Sequence, residues 1–267
     1  MKVVILAGGF GTRISEYTGI IPKPMIKIGK KPILWHIMKI YSHFGFNDFI
    51  LTLGYKSEVI KNYFLNYHIY NNDNEIELGK KNKFKFLNKE GSLKKNSNEW
   101  KLILSETGLN SSTGYRLWLI RDYLMQRKED EFMLTYGDGL ADVNINELIK
   151  FHRKSGKLVT ITAVHNQSRF GNLVIENNVC KEFKEKSTSR DSWINGGFCI
   201  FNKSVLDYLT NNLNESLEEG LLTRLTNENQ LSVFKHDNFW QCMDTNREAI
   251  FLNEIWKKEE APWKIWH

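Results

Sequence analysis

Short apolar runs alternate with segments of helical periodicity along the first two-thirds of the chain. Val3 to Ala7 is apolar at every position, which is typical of a strand buried on both faces of a sheet. From Pro32 to Phe44 the apolar residues recur at helical spacing and Gly45 follows as a natural stop, so this segment is predicted to be a helix. Such alternation indicates stacked βα units around a mostly parallel sheet.

Later segments carry other local signals. Asn144, with Glu147 three residues on, resembles a capping box and predicts a helix start. The apolar runs on either side of Asn177-Asn178, within 173–183, predict an antiparallel hairpin. The segment 245–257 is amphipathic and predicts a C-terminal helix packed back on the sheet. The same periodicities predict strands at 49–53, 102–104 and 132–136, and helices at 58–67 and from residue 114 onwards.

The composition is that of an ordinary folded chain. It has 267 residues, of which 41% are hydrophobic and 25% charged. No apolar run approaches the roughly 18 residues of a membrane helix, and the apolar start is too short for a signal peptide. The three cysteines (Cys180, Cys199 and Cys242) form no C-x-x-C pair, so neither a disulfide framework nor a zinc site is expected. These features predict a cytoplasmic protein without membrane association.

The net charge of +6 is concentrated in one segment. Residues 79–101 contain eight lysines and two glutamates, whereas the rest of the chain has 29 basic and 29 acidic residues. A nucleic-acid binder would spread its cations over a docking face and place aromatic or base-reading residues among them. We therefore interpret the segment as a solvated insertion and expect no nucleic-acid partner.

The stretch Leu6-Ala7-Gly8-Gly9-Phe10-Gly11-Thr12-Arg13 directly follows the first predicted strand. Its glycines allow close approach of backbone N–H groups to a chain of phosphates, and Thr12-Arg13 adds a hydroxyl donor and a fixed cation. A tight strand-to-helix turn is the alternative. Two other phosphate-binding motifs are excluded. A Walker loop requires a Lys-Ser or Lys-Thr pair, which this stretch lacks, and a dinucleotide-binding fingerprint requires Gly or Ala where Ile14 stands. We call residues 7–13 the glycine loop and predict that it binds phosphate.

Lys23 lies between Pro22 and Pro24, a few residues past the glycine loop. The two prolines stiffen the backbone around the lysine and leave few conformations to lose on binding. A lone surface lysine is the default interpretation of such a residue. Its position after a phosphate loop instead favours a point charge on a phosphate.

These residues carry a family resemblance. The glycine loop together with Pro22-Lys23-Pro24-Met25 resembles the signature of the sugar-1-phosphate nucleotidyltransferases. Further stretches resemble the cytidylyltransferase branch of that family: 28–38, 135–139, 169–171, 194–198, 239–245 and 261–266. The resemblance implies a Rossmann-like α/β fold, with a mostly parallel mixed sheet flanked by helices and a smaller antiparallel sugar-binding lobe. It implies a single domain over 1–267, with a nucleotide-binding part at about 1–140, which carries a variable basic insertion near 70–101, and a sugar-phosphate-binding part at about 141–267.

The resemblance also implies an activity. CTP and glucose 1-phosphate would give CDP-glucose and pyrophosphate with Mg²⁺, in a homo-oligomer such as a hexamer that supplies a surface-polysaccharide route. The catalytic residues would be Arg13, Lys23 and Asp138. Nucleotide binding would involve Leu6, Ala7, Gly8, Gly9, Gly11, Thr12, Arg13, Lys23, Ser111, Thr113, Gly114, Arg116, Gly137 and Asp138. Sugar-phosphate binding would involve Glu185, Lys186, Asn195, Gly196 and Trp240, and the metal ligands would be Asp138 and Asp244.

The residues themselves support parts of this assignment. Asp138 ends an apolar strand, where open α/β sheets place their ligands, and the glycines on either side let its carboxylate project toward a metal. Asp244 precedes a helix, so a simple capping role is its alternative. A sugar phosphate is already a nucleophile at neutral pH, so alignment and charge neutralisation should suffice for catalysis.

Three positions depart from the family pattern: Leu109, Tyr115 and Ser187. Leu109 precedes and Tyr115 lies within residues 111–116, which resemble the family's base-reading loop and which we call the base loop. Arg116 is expected to contact the cytosine edge there, because the pyrimidine O2 acceptor suits a guanidinium donor. Ser187 follows Glu185-Lys186, for which a plain surface pair is the alternative. Two other functions therefore stay open. One keeps the chemistry but takes another nucleoside triphosphate or phosphorylated acceptor. The other is a non-catalytic regulatory domain, against which the intact Arg13, Lys23, Asp138 and Asp244 argue.

Overall fold

The computed structural model describes residues 1–77, 83–87, 100–126, 128–167, 172–176, 179–184 and 188–266. The strands in these ranges are β1 (Val3–Leu6), β2 (Lys27–Ile28), β3 (Lys31–Pro32), β4 (Asp48–Leu53), β5 (Asp73–Glu77), β6 (Lys83–Leu87), β7 (Lys101–Glu106), β8 (Glu131–Tyr136), β9 (Gly139–Ala141), β10 (Val159–Gln167), β11 (Asn172–Glu176), β12 (Val179–Lys184), β13 (Thr188–Asn195), β14 (Cys199–Asn202), β15 (Leu231–His236) and β16 (Trp240–Cys242). The α-helices are α1 (Ser15–Thr18), α2 (Ile33–His43), α3 (Ser57–Leu65), α4 (Tyr67–Asn71), α5 (Thr113–Met125), α6 (Ile145–Ser155), α7 (Thr223–Asn227) and α8 (Asn246–Lys257). Short 3₁₀ turns occur at Thr12–Ile14, Lys23–Met25 and Lys203–Tyr208, and a π-helical turn occurs at Leu217–Leu222.

A mixed, mostly parallel sheet forms the centre of the protein. Its strand order is β13-β10-β14-β8-β1-β4-β7, and β15 pairs with β10. The strands β7, β4, β1 and β8 are parallel to one another, so their carboxyl ends meet at one edge. Antiparallel pairing links β8 to β14, β14 to β10 and β10 to β13. The predicted fold class is confirmed.

Strand β1 shows why this sheet needs helices on both faces. All four of its residues are buried. Val3 and Ile5 join the apolar cluster that contains helix α2, whereas Val4 and Leu6 join the cluster that contains helix α5. Burying a side chain of this size contributes about 1.5–3 kcal/mol, so the uninterrupted apolar run strongly favours a central strand.

Helix α8 confirms the prediction of a C-terminal amphipathic helix. Thr245 caps it in a full capping box with Glu248. Ala249 and Leu252 are buried in the apolar cluster around α2. Asn253 accepts a hydrogen bond from the Gly29 amide at 2.9 Å and donates one to the Lys27 carbonyl at 3.1 Å. The helix is thereby fixed to the short β2–β3 hairpin beside the sheet.

Most of the remaining expectations are confirmed, with one boundary corrected. Strands β4, β7 and β8 fall on the predicted segments, and Asn144 caps α6 by accepting the Glu147 amide at 3.2 Å. Strands β11 and β12 pair antiparallel as predicted, although the turn between them lies outside the described residues. The helix predicted at 58–67 was wrong in length. It is divided at Asn66, whose backbone leaves the helical region and whose side chain binds the Asn62 carbonyl.

Two further expectations are not tested by the described structure. Most of the basic segment 79–101 lies outside the described residues, so its role as an insertion stays a prediction. The division into nucleotide-binding and sugar-binding parts also stays a prediction. Among the helices of the described residues, none is long and apolar enough to cross a membrane.

Candidate active site

A cavity of about 470 Å³ opens at the carboxyl edge of the parallel strands. Its walls come from the end of β1 with the glycine loop, from the base loop, and from the segment that follows β8. Of the predicted nucleotide-binding residues, Leu6, Gly8, Gly9, Gly11, Thr12, Arg13, Lys23, Ser111, Thr113, Arg116, Gly137 and Asp138 line it. The position matches the place where open α/β sheets bind ligands.

The glycine loop owes its shape to two glycines with different requirements. Gly11 has a φ of +63°, and a Cβ there would lie 2.9 Å from the Thr18 methyl group. A Cβ on Gly8 would lie 2.2 Å from a terminal nitrogen of Arg116. Any side chain at either position would therefore displace the loop, since real Cβ atoms do not make contacts this short. Ala7, the first residue of the loop and also predicted to bind nucleotide, is buried and does not line the cavity.

Four charged side chains meet at one side of the cavity, and we call them the ionic cluster: Arg13, Lys23, Asp138 and Asp244. The Lys23 ammonium donates to Asp138 at 2.5 Å and also to Asp244. Arg13 donates to the second Asp244 oxygen at 2.8 Å. The Lys23 side chain is only 11% exposed, whereas that of Arg13 is 75% exposed. Arg13 is thus free to face a ligand from solvent, and Lys23 is fixed in the wall.

The electrostatics of the cluster favour its charged forms. Burial alone would lower the pKa of Lys23, but Asp138 and then Asp244 raise it above its ordinary value of 10.5. Burial would raise the pKa of Asp244, but Lys23 and then Arg13 hold it below its ordinary value of 3.8. These two groups are therefore charged across the physiological range.

The two aspartates come from distant parts of the sequence, and a small antiparallel sheet brings them together. Strand β16 pairs with β9, with Cys242 opposite Gly139. The Met243 amide donates to the Asp138 carbonyl at 2.9 Å, which places Asp244 beside Asp138. The helix cap is Thr245 and not Asp244. The capping alternative for Asp244 is therefore excluded, because its carboxylate binds Lys23 and Arg13 instead.

This pair of carboxylates has the donor chemistry of a magnesium site. Both lie within hydrogen-bond reach of one ammonium nitrogen, so the space between them accommodates a small cation. Mg²⁺ prefers oxygen ligands and usually takes one or two carboxylates together with substrate phosphates and water. No group of three or more metal-ligating side chains occurs among the residues that the structure describes. The pair fits a metal that shares its coordination with the substrate.

Arg116 occupies the wall between the base loop and the glycine loop and is almost fully buried. One terminal nitrogen donates to the Thr107 hydroxyl (2.6 Å), the Gly108 carbonyl (2.9 Å) and the Leu53 carbonyl (3.0 Å). The other donates to the Gly8 carbonyl (3.0 Å). Its guanidinium therefore joins the glycine loop to the base loop. A contact between Arg116 and a cytosine edge stays a prediction.

The other base-loop residues are held by the segment around residues 215–222. Thr113 accepts the Leu217 amide at 2.7 Å and donates to Glu218 at 2.9 Å. Gly114 does not line the cavity; a Cβ there would lie 2.7 Å from the Glu215 carbonyl, so it serves close packing. The Ser111 hydroxyl donates to the Thr107 carbonyl.

The predicted sugar-phosphate residues lie beside the cavity or outside the described residues. Asn195 donates to the Tyr136 hydroxyl at 3.3 Å, and its oxygen accepts the Gly197 amide at 3.0 Å. The Trp240 indole donates to the Gly196 carbonyl at 2.8 Å. None of Asn195, Gly196 and Trp240 lines the cavity itself. Glu185 and Lys186 lie outside the described residues.

Five residues that line the cavity were not among the predicted site residues: Pro24, Ser112, Tyr136, Ser216 and Glu218. Tyr136 ends β8, and Glu218 lies on the π-helical turn Leu217–Leu222. The Tyr136 hydroxyl donates to Glu218. Tyr136 stands in the predicted strand directly before Gly137-Asp138, which could have marked it. Glu218 carries no such signal, because Ser216 and Glu219 simply resemble a helix start.

The fold and this cavity define an α/β protein in which a glycine loop and an ionic cluster lie together at the carboxyl edge of a mostly parallel sheet. A family model described as nucleotidyl transferase matches residues 2–247, and the chain belongs to that family. The chain is 44% identical, over all of both sequences, to the glucose-1-phosphate cytidylyltransferase of Salmonella typhi. It is 41% identical, again over all of both, to a probable glucose-1-phosphate cytidylyltransferase of Bacillus subtilis strain 168.

Solved structures agree with the fold. The crystal structure of HddC from Yersinia pseudotuberculosis superposes with a TM-score of 0.64 at 22% identity, covering 96% of this chain and 99% of that one. A UDP-glucose pyrophosphorylase complexed with UDP-glucose gives a TM-score of 0.64 at 13% identity, covering 97% and 98%. At these identities the likeness concerns the fold alone.

Proposed function

We propose that this protein is a cytidylyltransferase that joins CTP and α-D-glucose 1-phosphate to give CDP-glucose and pyrophosphate. The observation that carries the proposal is one cavity that combines the glycine loop with the ionic cluster. The choice of CTP and glucose 1-phosphate rests on the full-length likeness to the two cytidylyltransferases.

The chemistry is an in-line attack of the sugar-phosphate oxygen on the α-phosphorus of the nucleotide. The new oxygen–phosphorus bond forms as the bond between the α-phosphorus and the oxygen bridging to the β-phosphate breaks. Pyrophosphate leaves with the electron pair of the broken bond. Charge builds up on the α-phosphate and the leaving group, and Lys23 in the cavity wall neutralises it together with the exposed Arg13. The glycine loop holds the triphosphate through backbone N–H groups.

A protein nucleophile is unnecessary for this reaction. Burial raises the pKa of the Cys199 thiol to about 12, and burial with nearby carboxylates raises that of Cys242 to about 12. Neither thiol forms a thiolate at neutral pH. Burial also lowers the pKa of His36 to about 4, so this histidine remains neutral in its aromatic surroundings. These groups are consistent with a structural role.

Asp138 and Asp244 are proposed to hold Mg²⁺. Bound there, the ion would neutralise phosphate charge and orient the triphosphate. Their contact with Lys23 supports this assignment, because the ammonium marks a position where the two carboxylates already share one cation. With the ion in that position, the Lys23 ammonium would move beside it and supply a second charge to the phosphates.

The acceptor is proposed to bind next to the cavity, on the side of Asn195, Gly196 and Trp240. Asn195 already contacts Tyr136, which lines the cavity, so the two regions are continuous. Lys186, with Glu185, would hold the sugar phosphate in line with the α-phosphorus. An amide side chain such as that of Asn195 suits a sugar hydroxyl, because it can both donate and accept.

The proposal extends to the protein's context. We expect a cytoplasmic homo-oligomer, such as a hexamer, whose product enters a deoxysugar route to surface polysaccharide. We expect neither a nucleic-acid nor a membrane partner. Sedimentation velocity of the purified chain tests the assembly: a single species at the mass of a 31.4 kDa monomer would contradict it.

The reaction is tested by pyrophosphate release with four nucleoside triphosphates crossed with a panel of sugar phosphates. We expect the highest kcat/KM for CTP with glucose 1-phosphate. A clear preference for another nucleotide or acceptor would retain the class of enzyme and overturn the substrates. Binding of CTP without any turnover would favour a regulatory domain.

A further inference from the structure

The lining of the cavity combines two chemically different groups of residues. One contains the cations Arg13 and Lys23 beside the glycine loop. The other consists of the base loop with Ser216 and Glu218. An exposed carboxylate in a cavity that receives a triphosphate is unfavourable unless it faces a hydrogen-bond donor, because like charges repel. The phosphate chemistry described above gives Glu218 no role.

The backbone around Glu218 is built to present this side chain. It lies on the π-helical turn Leu217–Leu222, whose start is capped by Ser216 accepting the Glu219 amide at 3.0 Å. Single π-helical turns occur frequently at functional sites. Glu218 lines the cavity, whereas its exposed neighbour Glu219 does not.

The Glu218 carboxylate is oriented by two hydroxyl groups. Tyr136 donates to one carboxylate oxygen and Thr113 donates to the other. Thr113 also accepts the Leu217 amide, which directs its own proton toward Glu218. An ionised carboxylate has about four acceptor sites, so acceptor capacity remains for a ligand.

Thr113 and Tyr136 belong to the two regions between which a ribose must lie. Thr113 is part of the base loop, and Tyr136 is two residues before Asp138 of the ionic cluster. In a nucleotide the ribose connects the base to the phosphates, and Glu218 connects these two regions of the wall. We propose that Glu218 accepts a hydrogen bond from a ribose hydroxyl of the bound nucleotide and thereby selects ribonucleotides over deoxyribonucleotides. This inference rests on the proposed nucleotide-binding function.

The test compares Glu218→Gln with Glu219→Gln, which removes the same charge one residue along the same turn. For each protein, kcat/KM is measured with CTP, 2′-deoxy-CTP and 3′-deoxy-CTP at fixed glucose 1-phosphate. We expect the wild type and Glu219→Gln to prefer CTP over one deoxy analogue. In Glu218→Gln the ratio of kcat/KM for CTP to that for the deoxy analogue should fall about tenfold, which corresponds to the loss of one hydrogen bond to a charged acceptor. The deoxy analogue concerned identifies the hydroxyl.

Tyr136→Phe provides a second variant, because it removes one of the two groups that orient Glu218. It should reduce the same ratio by less than Glu218→Gln does, because Thr113 still orients the carboxylate. An unchanged ratio in Glu218→Gln, or an effect confined to the KM for glucose 1-phosphate, overturns the proposal. If CTP is not turned over, the equilibrium binding ratio of a ribonucleoside triphosphate to its deoxy form still tests Glu218, whereas the proposed reaction fails.

Discussion

Replacing Arg116 with alanine should destabilise the fold in addition to weakening CTP binding. The buried guanidinium donates to carbonyls and a hydroxyl on three separate segments. The Leu53 carbonyl would keep the Thr107 amide at 2.9 Å, and the Gly8 carbonyl would keep the Tyr55 amide at 3.1 Å. The main losses are therefore the charged donors to the Gly108 carbonyl and the Thr107 hydroxyl.

These contacts set the magnitude of the effect. Two hydrogen bonds to a charged donor contribute about 3–6 kcal/mol, since each contributes about 1.5–3 kcal/mol. The desolvation of the buried guanidinium offsets part of this, so we expect a net loss of about 2–4 kcal/mol. A domain of ordinary stability has about 5–15 kcal/mol in total, so the variant should fold but unfold at clearly lower urea.

The assay is urea unfolding together with equilibrium CTP binding, with Arg121→Ala as the control. Arg121 lies on the same helix α5, where its guanidinium stacks on Trp118 at 3.9 Å, away from the cavity. Its removal should cost about 0.5–1 kcal/mol and leave CTP binding unchanged. If Arg116→Ala keeps the urea midpoint of the control while its preference for CTP falls, Arg116 acts through the base contact alone and the positioning role is refuted.

Three other predictions concern the charged residues proposed to bind the substrates and Mg²⁺. Lys23→Met should cost about 1.5–3 kcal/mol of stability. Folding lowers the pKa of Asp244 and raises that of Lys23, so the stability difference between the wild type and the variant should be largest between pH 3.8 and 10.5. It should shrink as the pH falls below the folded pKa of Asp244 or rises above that of Lys23. A difference in urea unfolding that does not change with pH would contradict this prediction. Asp244→Asn should lower kcat about 100-fold, and excess Mg²⁺ should partly restore it, whereas replacing the exposed Asp237 with Asn should leave kcat unchanged. Near-normal turnover of Asp244→Asn at low Mg²⁺ would remove Asp244 from the site. Lys186→Ala should impair turnover and acceptor use with CTP binding intact, and an equal loss of CTP binding would place it elsewhere.

The parts of the fold that depend on local pattern could be predicted from the sequence. The apolar run at Val3–Leu6 can be accommodated only in a central strand, and the Thr245 capping box marks the start of α8. The break at Asn66 could not be predicted, because the apolar period of the helix continues past this residue. The Asn66 side chain adds a second hydrogen bond to the Asn62 carbonyl at the break.

The candidate site could likewise be predicted from the sequence only in part. Glycines, a lysine between prolines and an aspartate after a strand are unusual enough to be noticed in sequence, and the structure brings Lys23 and Asp138 together. The convergence of Asp244 on them depends on the pairing of β16 with β9. The role of Glu218 depends on contacts with Thr113 and Tyr136, which lie 105 and 82 residues away. Such contacts follow from the tertiary fold and leave no local pattern.

The fate of the α-phosphate tests the central claim most directly. The purified protein would be incubated with Mg²⁺, glucose 1-phosphate and CTP labelled at either the α- or the γ-phosphate, beside Lys23→Met. We predict that the α-label enters a nucleotide sugar and the γ-label enters pyrophosphate, with both rates falling together in the variant. Release of the γ-label as inorganic phosphate without a labelled nucleotide sugar, or full transfer by Lys23→Met, would contradict nucleotidyl transfer at this cavity.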